Sequence, residues 1–104
     1  MKIGNKVEIS AGLFNKGEFY LLNNQLDQSK PFYEKSLAID ESIGDDYGRS
    51  LNYNRIGNIY LQQGQLDSAK TYLDKSTALT VPTSAMEVMR DNYRDLATYM
   101  VKAG

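Results

Sequence analysis

The sequence predicts an all-α protein made of antiparallel helix pairs, repeated about two and a half times along one chain. Three observations predict it. The chain resembles itself at an offset of 40: NKGEFYLLNNQLDQSKPFYEKS, beginning at Asn15, overlays RIGNIYLQQGQLDSAKTYLDKS, beginning at Arg55, and the match gives 13 identities over the 36 positions from Ile3 to Ala38. Self-similarity at a fixed period of this size is the signature of a stacked repeat. Within each unit the apolar residues recur three or four apart, the spacing of one helix face rather than the alternation of a strand. Glycines then punctuate the pattern at equivalent places, Gly44 and Gly64 lying where a left-handed residue ends a helix.

Five helices follow, at about 5–23, 27–42, 46–63, 67–80 and 85–102. The first carries Leu13, Gly17 and Tyr20 at repeat spacing, with Lys16 where the second copy has Ile56, so this helix is expected to be less buried. The second contains Ser29 and Tyr33, and holds Pro31 near the end of its first turn, where at most one backbone hydrogen bond is lost. In the third, Leu51, Tyr53, Ile56, Ile59 and Tyr60 form the apolar face; in the fourth, Ala69, Tyr72, Leu73 and Leu79 do so, with Pro82 beyond. The last opens on the capping box Ser84-Ala85-Met86-Glu87 and carries a stripe of Met86, Met89, Tyr93, Leu96 and Met100.

Composition narrows the function. One domain of 104 residues with 41% hydrophobic and 24% charged residues is an ordinary globular chain. Its net charge of −1, with both signs interspersed, lacks the basic stripe that nucleic-acid binding requires. No apolar run approaches the roughly 20 residues of a membrane span, and no signal-peptide pattern opens the chain. With no histidine and no cysteine, imidazole bases, thiol nucleophiles and the usual zinc and iron–sulfur sites are excluded. The absent cysteines fit any compartment; a soluble protein is expected, the cytoplasm slightly favoured.

The second unit, Tyr53-x2-Ile56-Gly57-x2-Tyr60 followed by Ala69-x3-Leu73 and Pro82, resembles the tetratricopeptide repeat. The first unit is a looser copy through Leu13, Lys16, Gly17, Tyr20, Ser29 and Tyr33, and Tyr93, Leu96, Ala97 and Met100 begin a third. The resemblance implies a right-handed α–α superhelix with units at about 10–49, 50–89 and a half-unit at 90–104. It also implies that Gly57 lies against Ala69, letting the paired helices approach closely. The 40-residue spacing and the Ile43-Gly44-Asp45 element are similar to the long-repeat subgroup of kinesin light chains, Pins-type adaptors and arrays attached to bacterial sensor kinases and regulators. The register of the two ends suits a piece of a longer array.

The carboxylates and tyrosines are read first as structure. Asp40, Glu41, Asp45 and Asp46 lack the ligand alternation of a calcium loop and read as solvated helix-capping acids. Asp91 and Asp95, interleaved with Arg90 and Arg94, read as a surface charge network rather than an acid–base pair. Tyr20, Tyr33, Tyr53, Tyr60, Tyr72 and Tyr93 fall on core positions of the repeat, and the methionine stripe reads as core with one edge partly open. No cofactor, metal or catalytic residue is expected, and the chain does not read as an enzyme.

The resemblance places a binding surface on the first helix of each pair. Carried over residue by residue, it gives Ala11, Phe14, Asn15, Glu18 and Leu22, then Leu51, Asn54, Arg55, Asn58 and Gln62, then Asp91, Arg94, Asp95, Thr98 and Lys102. Among these, Asn15, Glu18, Asn54, Arg55, Asn58, Gln62, Asp91, Arg94 and Asp95 are the polar candidates for holding a protein or peptide ligand. Asparagine amides donate and accept at once, so Asn54 and Asn58, one turn apart, suit the backbone of an extended peptide. The cationic clamp with which some tetratricopeptide repeats hold a terminal carboxylate is absent, since Phe14, Glu18, Arg55, Asp91 and Asp95 occupy its positions. The expected function is a protein-interaction module, scaffolding or sensing within a larger signalling protein. The alternative is a structural segment that stacks or forms homo-oligomers through exposed terminal helices.

Overall fold

The computed structural model describes residues 3–83 and 86–104, and every regular element among them is an α-helix: α1 (Ile3–Leu22), α2 (Leu26–Ile43), α3 (Asp46–Gln62), α4 (Leu66–Thr83) and α5 (Met86–Ala103). The expected boundaries hold to within three residues, the largest difference being α4, which continues past position 80. Ser84 and Ala85 of the expected capping box lie outside the described residues.

Local chemistry explains the breaks between helices. Gly44 and Gly64 adopt φ of 70° and 77°, the left-handed conformation expected of them. Asn24, one repeat before Gly64, takes φ 59°; asparagine is the non-glycine residue that tolerates this region best. Asp45 caps α3 by accepting a 3.0 Å hydrogen bond from the Gly48 amide. Pro31 lies inside α2 and the helix continues through it.

The helices pack as pairs, α1 on α2 and α3 on α4, with α2 against α3 joining the pairs, α4 against α5 extending the stack, and α3 touching α5. The result measures 46 × 31 × 19 Å. Tyr33, Leu37, Tyr53, Ile56 and Ile59 form the core, with Phe14, Leu21, Leu26, Tyr60, Tyr72 and Leu79 packed around it. Among the described residues of α1 only Ser10 and Gly17 are fully buried, with Phe14 and Leu21 half-buried against the core; Val7, Ile9, Phe19 and Leu22 are all exposed, in line with Lys16 at a core position.

Each pair is brought close by a glycine facing a large side chain. A Cβ on Gly17 would stand 2.8 Å from Tyr33 Cε1, and one on Gly57 would stand 2.9 Å from Leu73 Cγ. The three atoms nearest that Cβ all belong to Leu73, and Ala69, the expected neighbour, is fully buried one turn earlier on α4. Buried serines reinforce the seam, Ser29 donating to Gly17 O at 2.9 Å and Ser76 to Ser50 O at 2.7 Å.

Two aromatic and methionine assignments need correction. Tyr93 is 57% exposed, although Tyr33 and Tyr53 are core and Tyr20, Tyr60 and Tyr72 are half-buried. On α5 it is Val88 that is fully buried, whereas Met86 and Met100 stand outside with Tyr93. Tyr53, the equivalent of Tyr93 one repeat earlier, is buried beside the Tyr72 ring.

Candidate functional site

The polar candidates converge on one face formed by α1, α3 and α5. Arg55, half-way along α3, donates through Nε to Glu18 of α1 at 2.8 Å and through Nη1 to Asp91 of α5 at 3.3 Å. The same Nη1 reaches Asn54 Oδ1 at 2.6 Å. Asn54 Nδ2 in turn donates to Asn92 Oδ1 at 2.8 Å and Asp95 Oδ2 at 3.2 Å, while Asn58 Nδ2 donates to Asp95 Oδ1 at 3.1 Å. Gln62 donates to Asn58 Oδ1, and Arg94 stands 3.4 Å from Asp95 and 3.5 Å from Asp91. Only Asn15, exposed on α1, lies apart from this chain of bonds.

The pairing has a repeat logic. Glu18 with Arg55 and Asn58 with Asp95 are both 37 residues apart, and 18 and 58, like 55 and 95, are equivalent positions. One rung of the stack is thus an acid on the earlier helix with a cation on the later, and the next is an amide with an acid. Both rungs tie the first helix of one unit to the first helix of the next.

Burial changes what these residues can offer. Asn54 is 1% exposed and its amide is spent within the protein, so it joins α3 to α5 instead of facing a ligand as expected. Asp91 and Asp95 do form the expected network with Arg90 and Arg94, but they are buried beneath it rather than on the surface. Burial would lower the Arg55 pKa, but its hydrogen bond to Glu18 and the charges of Glu18 and Asp91 outweigh that and raise it. Burial and the hydrogen bond it donates to Glu18 hold the Tyr33 phenol well above its usual range. What remains open to a partner on this face is Asn15, Gln62, Arg94 at 62% side-chain exposure, and the edges of Glu18, Arg55 and Asn58.

A second polar cluster was not expected. Asp40, read as a solvated capping acid, is 3% exposed. Ser10 of α1 donates to its Oδ1 and Asn52 of α3 donates to its Oδ2 at 2.9 Å. Asn52 also reaches Ser36 Oγ at 3.0 Å and Gly48 O at 3.1 Å. Burial, despite these hydrogen bonds, pushes the Asp40 carboxyl above the ordinary carboxylate range, and the neighbouring Asp45 charge adds to the rise. Ser10 and Ser36 were visible in the sequence as repeat identities with Ser50 and Ser76, and small polar residues recurring at an apolar helix seam are the signal that marks such a cluster.

The sequence profile described as tetratricopeptide repeat matches residues 8–80, most of the chain and most of each of the first four helices. The chain belongs to the tetratricopeptide repeat family. No curated protein and no solved structure matches it. Repeats of this family are generally protein–protein interaction modules. Among the described residues there is no cluster of three or more acidic, histidine or cysteine side chains able to hold a metal, and no helix long and apolar enough to cross a membrane.

Proposed function

We propose that this tetratricopeptide repeat domain holds a peptide or helix of a partner protein against the face made by α1, α3 and α5, as the scaffolding or sensing part of a larger signalling protein. The observation that carries this reading is the bonded row from Glu18 through Arg55 to Asp95. Each side chain in it is fixed by its neighbours, so a ligand meets a preorganised surface and little rotamer entropy is lost on binding. Gln62 and Arg94, bonded within the row but exposed, supply donors, and Asn15 both donors and an acceptor. Peptide main-chain hydrogen bonds at such positions contribute about 1 kcal/mol each. The alternation of Glu18, Arg55, Asp91 and Arg94 favours a ligand of mixed rather than uniform charge. The 40-residue spacing supports placement in the long-repeat subgroup.

The test is selection of peptides from a displayed library on the immobilised protein, followed by calorimetry with wild type and with Gln62→Ala/Arg94→Ala. Both side chains are exposed, so the double variant is expected to fold and to bind selected peptides about tenfold or more weakly, equivalent to one or two lost hydrogen bonds. Undiminished affinity would place the binding surface elsewhere.

A second reading is supported by α5. Met86, Tyr93 and Met100 recur every seven residues and are 72%, 57% and 70% exposed, with Val101 beside them at 82%. Such a stripe favours self-association. Sedimentation over a wide concentration range is expected to show a dimer that Met100→Lys disperses; a monomer throughout would reject this reading.

A further inference from the structure

Between α1 and α3, above the Asp40 cluster, lies a cleft of about 180 Å³. Its apolar lining comes from Val7, Ala11 and Phe14 of α1 and Leu51 of α3, with Tyr47 and Asn15 also bordering it. Its floor holds Asp40, Asp45 and Asn52. Clefts that take whole small molecules measure about 300–1,000 Å³, so this one suits a single side chain.

The floor is short of donors. Asn52 is fully buried, and among the described residues its Oδ1 has no hydrogen-bond partner. Leaving a buried acceptor unpaired is unfavourable, and native folds rarely tolerate it without a reason. The second repeat shows what such an acceptor needs. Asn92, the equivalent of Asn52, also bonds a seam serine, Ser76, at 2.9 Å, but its Oδ1 is satisfied by Asn54 Nδ2 at 2.8 Å. The residue equivalent to Asn54 in the first repeat is Phe14, which has no donor and stands in the cleft wall. The floor is also short of positive charge. The Asp40 carboxylate is met by neutral donors from Ser10 and Asn52, and no cation lines the cleft among the described residues. Gly48 lets the two acids converge, because a Cβ there would collide with the Asp40 carboxylate and stand 2.9 Å from Asp45 Oδ2.

We propose that this cleft is a socket for one lysine side chain of a partner protein, its alkyl stem between Phe14 and Leu51 and its ammonium donating to Asn52 Oδ1, Asp40 and Asp45. Lysine fits on three counts: a flexible apolar stem for the walls, three donors for the acceptors, and a positive charge for two carboxylates. The inference rests on the groove reading, since Asn15 borders both surfaces.

The experiment titrates the isotope-labelled full chain with Nα-acetyl-lysine amide, and in parallel with its Nε-acetylated form and the norleucine analogue at matched ionic strength. The lysine compound is expected to shift the Asn52 side-chain amide and the Gly48 backbone amide saturably. Both neutral compounds should bind about tenfold more weakly, because the charge-assisted hydrogen bonds are lost. Asp45→Ser removes a floor charge while keeping a residue able to cap α3, and should weaken lysine binding several-fold in a folded protein. Asp40→Asn is the second variant, its fold checked by its spectrum. Equal binding of all three compounds would overturn the socket in favour of an apolar slot. Shifts confined to Gln62, Arg55 and Arg94 would overturn the socket and leave the groove standing, and absence of any shift at Asn52 and Gly48 would overturn it whatever the library peptides do.

Discussion

Two glycines in helix interiors should respond oppositely to the same added methyl group. Gly57, on α3, faces Leu73 of α4: a Cβ would lie 2.9 Å from Leu73 Cγ, 3.0 Å from Cδ2 and 3.2 Å from its backbone nitrogen. Leu73 is fully buried, so its side chain has nowhere to turn, and its nitrogen can retreat only if α4 moves. Gly12, on α1, is exposed and a Cβ there meets nothing within 4 Å. Replacing a helical glycine by alanine gains about 1 kcal/mol through lowered backbone entropy of the unfolded chain. At Gly12 that gain stands alone. At Gly57 it is opposed by overpacking worth about 1–3 kcal/mol, leaving a net effect from about zero to 2 kcal/mol destabilising. Gly12→Ala and Gly57→Ala should therefore differ by about 1–3 kcal/mol in urea unfolding followed by far-ultraviolet circular dichroism. In thermal melts each kcal/mol corresponds to about 4–8 °C for a domain of this size. Gly57→Leu should be worse than alanine. Equal stabilisation by alanine at both positions would refute the close α3–α4 contact and the repeat register built on it.

Three further outcomes are expected. Arg55→Met should destabilise by about 1–3 kcal/mol, because Asp91 is left buried without its α3 cation, and a double-mutant cycle with Glu18→Gln should give a coupling of about 1 kcal/mol; additivity would mean that the ion pair contributes nothing. Asp40 sets an acid-side pH dependence. Its folded pKa is raised, so the folded protein binds a proton that the unfolded chain releases, and this contribution to stability falls as pH rises from 3.8 through the raised value. Asp40→Asn should flatten unfolding free energy against pH in that window, and an unchanged slope would show that the carboxylate is not buried as described. Asp95→Ala should expose what holds α5: with the acceptor of Asn58 and one of the two acceptors of Asn54 removed, hydrogen exchange in α5 should accelerate more than in α1, and uniform exchange would contradict the α3–α5 tie.

Much of the fold was legible because it is local. The 3.6-residue periodicity, the left-handed glycines at 44 and 64 and the Asp45 cap depend on residues within one or two turns, and the 40-residue identity carried one helix pair onto the next. The convergence of Glu18, Arg55, Asn58, Asp91, Arg94 and Asp95 was legible for the same reason, since equivalent positions of stacked units must fall in a row. Which of them are spent inside the protein was not. Asn54 and Asp95 occupy surface positions of their own helices and become buried only when α5 lies across α3; Asp40 reads as a cap until α1 and α3 close over it. Tyr93 erred in the opposite direction, a core position of the motif that stands more than half exposed. Helical periodicity says which face a residue occupies, but the distance and rotation between helices decide what covers that face. Those are properties of the packed stack, where moving one helix by a single turn exchanges a solvated amide for a buried one.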